Sequence, residues 1–208
     1  TTFENRYSAR GRQQILGGVA SPLTPASIPA AWRSARIVHL GPIADEVDPA
    51  LIECFPDALV GLTPQGWLRS WDDTGLVQKA HWRRIEQHLR RIDAMVLSLE
   101  DLDGDRHAGQ ELANFCKIVV VTEGADGANV YWNWQERHFS APLVKEEDPT
   151  GAGDIFAAAF LIHLQRTKDP WSAARMATLL AANSVTRRGV IGTPTIAEVD
   201  TAQAQGFS

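Results

Sequence analysis

Asp148-Pro-Thr-Gly-Ala-Gly-Asp154 runs directly into Ile155-Phe-Ala-Ala-Ala-Phe-Leu161. Gly151 and Gly153 carry no β-carbon, so the backbone can turn sharply there and a ligand can come close. The run that follows is apolar nearly all round, which predicts a buried helix over Ala152–Leu164. A helix opening at such a loop presents its first free amides outward, with the positive end of its dipole behind them, and so favours an anion. Asp154 stands in the first turn beside that anion hole. A base next to a place where negative charge develops is what phosphorylation of a hydroxyl requires. An aspartate in a first turn also serves the dipole alone, and Gly-x-Gly before a helix is weak evidence. The pattern Asp-x-Thr-Gly-Ala-Gly-Asp is far rarer, arising at roughly one in ten million starting positions at average residue usage.

Working outward, Ile118-Val-Val-Val-Thr122 is almost wholly apolar, as a central parallel strand covered on both faces should be. Ala128–Trp132 and Arg137–Ser140 predict a hairpin around Asn133-Trp134. Upstream, Arg36–Gly41, Ala58–Leu62 and Asp93–Ser98 read as three further strands. Between them, helices are predicted after Asp48-Pro49, from Lys79 to Ile92, and from Ala108 to Phe115. Downstream, Asp169-Pro170 opens another helix, with Arg187-Arg188 suiting its negative end and Gly189 closing it. Strands alternating with helices imply a three-layer α/β/α sandwich around a mostly parallel sheet. Residues 1–35 are the least legible part: Tyr7–Gly11 reads as a loop, and Gly17-Gly18 with Pro22, Pro25 and Pro29 interrupts any long element.

The bulk properties fit this reading. The chain has 208 residues, 44% of them apolar, and a net charge of −5 with no stripe of Lys and Arg, which argues against a nucleic-acid partner. Arg83-Arg84 and Arg90-Arg91 read as a solvated helix face. No apolar run is long enough to span a bilayer, so no membrane partner is expected. Cys54 and Cys116 are expected as buried free thiols, consistent with a cytoplasmic protein. None of the six histidines forms a metal pair, and His39 and His163 are read as core-edge or surface residues. There is no Gly-x-Ser-x-Gly elbow and no Walker-A lysine loop.

The Asp148–Asp154 segment and its helix resemble the C-terminal signature of the PfkB/ribokinase family of carbohydrate and nucleoside kinases. Three more segments match in the family's order: Val119-Val-Val-Thr122-Glu-Gly124-Ala-Asp-Gly127, Ala181-Ala-Asn183 through Gly189, and Gly61-Leu-Thr-Pro-Gln-Gly-Trp-Leu-Arg69. The resemblance covers about Arg36 to Val199. It implies a ribokinase-like fold and ATP-dependent phosphorylation of a hydroxyl on a sugar or nucleoside. Asp154 would be the base, and the amides of Gly151, Ala152 and Gly153 would hold the transferring phosphoryl group. Thr122, Gly124 and Gly127 would lie near the donor phosphates and Asn183 near the base. Mg²⁺ would accompany ATP, and a monovalent cation such as K⁺ would sit near Asp148 and Thr150.

The sequence also departs from the family. An Asn-x-x-Glu magnesium motif is replaced by Ser98-Leu-Glu-Asp101, so Asp101, working through a water, and Asp148 are the candidate metal residues. The alternative for Glu100–Asp105 is a solvated acidic turn. Residues 1–35, with Arg10-Gly-Arg12, read as a remnant of the lid or N-terminal region, and 36–208 as the core. The front is expected to be shortened, leaving the lid incomplete and a sheet edge open. A non-catalytic nucleotide-binding scaffold and a nucleoside kinase stay as alternatives, and a homodimer is left open.

Overall fold

A computed structural model describes residues 1–8 and 11–206. Its strands are β1 (Thr2–Ser8), β2 (Gly11–Gly18), β3 (Ile37–Leu40), β4 (Leu59–Leu62), β5 (Arg69–Trp71), β6 (Val77–Lys79), β7 (Ala94–Ser98), β8 (Ile118–Thr122), β9 (Ala128–Trp132) and β10 (Gln135–Phe139). The α-helices are α1 (Glu86–Leu89), α2 (His107–Leu112), α3 (Ala152–Thr167), α4 (Pro170–Ser184) and α5 (Ile196–Gly206).

Six strands form the central sheet in the order β10-β9-β8-β7-β4-β3. The four from β3 to β8 are parallel, and the β9–β10 hairpin closes one side antiparallel. Asn133 and Trp134 make its turn, both at positive φ (49° and 63°). One face of the sheet carries the core built from Leu62, Trp67, Trp82, Leu89, Met95 and Leu112. The other is covered by α3 and α4, with Phe156, Phe160 and Leu161 buried against Val96, Val120 and Val130. Burying each such side chain contributes about 1.5–3 kcal/mol. Gly61 lets α3 lie flat on β4, since an added Cβ there would come within 2.3 Å of Leu161. This is the expected three-layer α/β/α sandwich.

Several local expectations are corrected. The helix expected over Lys79–Ile92 is broken: Lys79 ends β6, a 3₁₀ turn spans Trp82–Ile85, and α1 has four residues. The predicted apolar positions Trp82, Ile85, Leu89 and Ile92 are nevertheless all buried. The β5–β6 ribbon was not anticipated. It turns through Asp72, whose Oδ1 accepts from the amides of Thr74 and Leu76, and Gly75 at φ 78°. The helix after Asp48-Pro49 is 3₁₀, with Asp48 capping Ala50 as predicted. Ala158 and Ile162 of α3 are exposed, because the sheet and α4 cover only part of its girth. Helix α4 ends at Ser184, so neither Arg187 nor Gly189 closes it.

Residues 1–35 contain order that the sequence hid. β1 and β2 pair antiparallel with Tyr7 opposite Arg12, so the loop expected over Tyr7–Gly11 narrows; residues 9 and 10 lie outside the described residues. The hairpin docks on the β5–β6 ribbon through an Ile15–Leu76 bridge. Arg69 ties the two together, donating to Gln14 at 3.3 Å and lying 5.0 Å from the Phe3 ring centroid. Cys116 is buried and Cys54 only half-buried, both as free thiols. No helix among the described residues is long and apolar enough to cross a membrane.

Candidate active site

The parallel strands β3, β4, β7 and β8 all end on one rim of the sheet, and the functional candidates gather there. Gly151, at φ 84°, forms the N-cap of α3, so Ala152, Gly153 and Asp154 are its first three residues. An added Cβ at Gly151 or Gly153 would meet nothing within 4 Å, so this helix start opens on free space. The 3₁₀ turn Gly124–Asp126 follows β8 on the neighbouring strand end. Gly124 and Gly127 both have positive φ (59° and 106°), and a Cβ at Gly127 would lie 2.0 Å from the Phe139 carbonyl. Only glycine fits that position.

Between these two turns lies a cavity of about 220 Å³. Thr122, Gly124, Gly127, Ala152 and Gly153, five of the expected residues, line it. The rest of its lining is mostly apolar, including Ala125, Pro142, Phe156, Ala182 and Val185, with the exposed Leu143 at its mouth. A cavity lined by the glycines of two turns, one of them a helix start, and by apolar side chains fits a phosphate chain carrying a flat base.

Asp154 does not line the cavity. It is solvent-exposed on the other side of the first turn of α3, and its charge is felt by His39 at the end of β3. The His39 Nε2 lies 3.0 Å from the Thr63 hydroxyl, just beyond the end of β4. Loss of water around the ring pushes the His39 pKa down, and the Asp154 carboxylate partly opposes this. His39 is exposed on the edge strand β3, as expected of a core-edge or surface residue, while its closeness to Asp154 was not anticipated. Its position two residues before Gly41-Pro42, at a strand end, was the available signal.

Asp148, Thr150 and Asn183 have other work. Asp148 Oδ1 accepts from the Thr150 amide at 3.0 Å and Oδ2 from the Gly189 amide at 2.9 Å. Hydrogen bonding from Thr150 and then Gly189 holds its carboxyl down at about 2. It straps the loop before α3 to the segment after α4. Asn183 is also redirected: its side-chain amide donates to Glu198 at 2.7 Å, and it does not line the cavity. Its helix neighbours Ala181, Ala182 and Val185 do. Asp101 is half-buried at the end of β7, with Oδ2 accepting from the Ser98 amide and hydroxyl at 2.9 and 2.7 Å.

Among the described residues, no three His, Cys, Asp or Glu side chains converge as a metal cage. A divalent ion here would rest on few protein ligands and on donor phosphates, a pattern typical of magnesium. Asp101 keeps Oδ1 for such a role, whereas both Asp148 oxygens are engaged by backbone amides.

The chain matches the description "pfkB family carbohydrate kinase" over residues 92–196. It is 36% identical to an inositol 3-kinase of Oryza sativa subsp. japonica, covering 91% of this chain and 50% of the relative. It is 30% identical to a fructokinase of Escherichia coli, covering 65% of this chain and 48% of the relative. The chain therefore spans about half the length of these curated relatives. A solved pyrophosphate-dependent kinase in the ribokinase family superposes with a TM-score of 0.80 at 21% identity, covering 95% of this chain and 72% of the other.

Proposed function

The chain belongs to the pfkB family of carbohydrate kinases, and on that premise we propose that it carries the donor-binding and catalytic part of an ATP-dependent kinase for a hydroxyl group of a sugar or cyclitol. One observation carries the reading: the first turn of α3 stands between the donor-shaped cavity and Asp154. Ala152 and Gly153 face the cavity, while Asp154 is exposed beside His39. A hydroxyl arriving from the Asp154 side would meet the terminal phosphoryl group in line with its leaving oxygen.

In that arrangement Asp154 accepts the proton of the attacking hydroxyl. The new O–P bond forms as the donor's bridging bond breaks, and the amides of Gly151 and Gly153 hydrogen-bond the transferring oxygens; the Ala152 amide joins them only by giving up the Pro149 carbonyl, to which it donates at 3.2 Å. Gly124 and Gly127 shape the turn against the phosphate chain, and the apolar lining takes the base. Magnesium, when bound with the donor, would supply positive charge at the phosphates, with Asp101 as the side chain that fits it through a water. A sugar or cyclitol acceptor is favoured by the fructokinase and inositol 3-kinase relatives. We read residues 1–35 as the lid side of the acceptor pocket. The two free thiols suit a reducing cytoplasm.

The test is calorimetric titration of a non-hydrolysable ATP analogue with and without Mg²⁺, followed by turnover with D-fructose and myo-inositol. Magnesium-sensitive binding and phosphorylation of either acceptor is the expected result. A folded chain that binds no analogue would overturn the reading.

A further inference from the structure

His39 and Thr63 are brought together from different parallel strands at the rim that carries Asp154. Nothing about the donor site explains this pair. Their 3.0 Å hydrogen bond crosses the ends of β3 and β4. His39 is exposed and lines an open, mostly apolar cavity of about 750 Å³ along β3, with Gly41 and Glu46 beside side chains such as Trp32 and Ile43; Thr63 and Asp154 lie outside that lining. Gly41 keeps the approach clear, since an added Cβ would come to 3.3 Å from the Thr63 hydroxyl.

Helix α3 contributes Asp154, the charge that acts on the ring. Strand β4 leads to the neutral Thr63. The segment after β3 contributes Glu46, whose two oxygens accept the amides of Ile43 and Ala44 at 2.8 and 2.7 Å.

We propose that His39 is a positioning residue for the acceptor: in its neutral form it fixes the Thr63 hydroxyl on the rim that carries Asp154, and Thr63 in turn orients the incoming alcohol toward that base. A threonine hydroxyl offers one donor and two lone pairs, so the bond to His39 leaves capacity for an acceptor hydroxyl. Protonating His39 places a cation next to Asp154, which stabilises the carboxylate and weakens it as a base. Turnover should therefore fall as the pH drops through the His39 pKa, which lies below the ordinary histidine value. This rests on the reading of Asp154 as the base.

Two measurements test it on the whole chain. In the first, histidine resonances are followed by NMR from pH 4.5 to 8. His39 is expected to titrate below its ordinary value and to move lower still in Asp154→Asn, where the opposing charge is gone. A His39 signal unmoved by Asp154→Asn overturns the proposal. In the second, kcat/KM for D-fructose and myo-inositol is measured against pH with ATP as donor. His39→Gln, which keeps a hydrogen-bonding group but cannot titrate, is expected to lose three- to tenfold at pH 7.5 and to lose the acid limb. His39→Ala and Thr63→Val should lose more, with donor affinity unchanged in all three. A His39→Gln profile superimposable on wild type overturns this proposal alone. No turnover by the wild-type chain with either acceptor overturns the kinase reading beneath it.

Discussion

Gly153 and Gly127 line one cavity and Asp154 follows Gly153 in the first turn of α3, and their substitutions should separate chemistry, binding and stability. Asp154→Asn keeps the size and polarity of the side chain but removes the base. Its turnover is expected to fall by about 10²–10⁴-fold, the usual range for general-base catalysis, while calorimetry finds donor affinity within a factor of a few. Near-normal turnover in that variant would remove Asp154 from its role. Gly153 and Gly127 behave oppositely. A Cβ at Gly153 meets no protein atom, so Gly153→Ala should leave stability unchanged or raise it by up to about 1 kcal/mol. The same methyl occupies the approach to the helix amides, and donor affinity should drop by about tenfold, equivalent to one lost hydrogen bond. Gly127→Ala instead meets the Phe139 carbonyl in a backbone conformation that disfavours alanine. It should destabilise the chain by about 1–3 kcal/mol, read as a lower midpoint in urea. If Gly153→Ala melts early and Gly127→Ala does not, the two turns have been assigned the wrong way round.

At the scale of elements, two carboxylates act as straps near the site. Glu198, in the first turn of α5, accepts from Arg187 at 2.7 Å and from the Thr195 amide at 2.7 Å, and Arg187 chiefly holds its carboxyl at about 2. Asp148 does the same between the loop before α3 and Gly189, also at about 2. Both values lie below the ordinary 4.5 and 3.8, so the folded chain binds these protons less readily than the unfolded chain. Their stabilisation is complete above the ordinary values and is lost as the pH falls toward about 2. Thermal melting should drop over that interval, and Glu198→Gln should flatten the drop while starting lower at neutral pH. An unchanged slope in Glu198→Gln would mean the strap carries no linkage. The straps also show what could be read in advance. The caps Asp48 and Asp169 were legible because Asp-Pro has one local meaning at a helix start. The hydrogen bond of Asn183 was not legible because its partner, Glu198, lies on a helix 15 residues further on. The break before α1 was hidden for the same reason: periodicity reports which side chains are buried, not whether the backbone between them is 3₁₀ or α.

For the whole molecule, the strands of the central sheet and its mostly parallel character were readable from alternation and apolar runs, and their order and the β1–β2 hairpin were not. That hairpin is held by its neighbour, the β5–β6 ribbon, rather than by an apolar face of its own. The two outer edges of the central sheet differ in a way that bears on behaviour in solution. The β10 edge presents Gln135, Glu136, Arg137 and His138, all exposed, and such side chains discourage pairing with another strand. The β3 edge is flanked by Leu23, Trp32 and Ile43 at 48%, 65% and 50% exposure, with Ile162 of α3 at 45% on the opposite face. An unpaired strand between two apolar margins is a template for association. The chain as it stands should therefore show a sedimentation coefficient that rises with concentration. Trp32→Lys combined with Ile43→Lys places charge on that margin away from the donor cavity, and should lower the concentration dependence without changing analogue binding. A chain that sediments as a monomer throughout would show that the β3 edge is protected despite its exposure. A double variant that still associates would shift attention to Leu143, Val190 and Ile191, the exposed apolar side chains at the other end of the site.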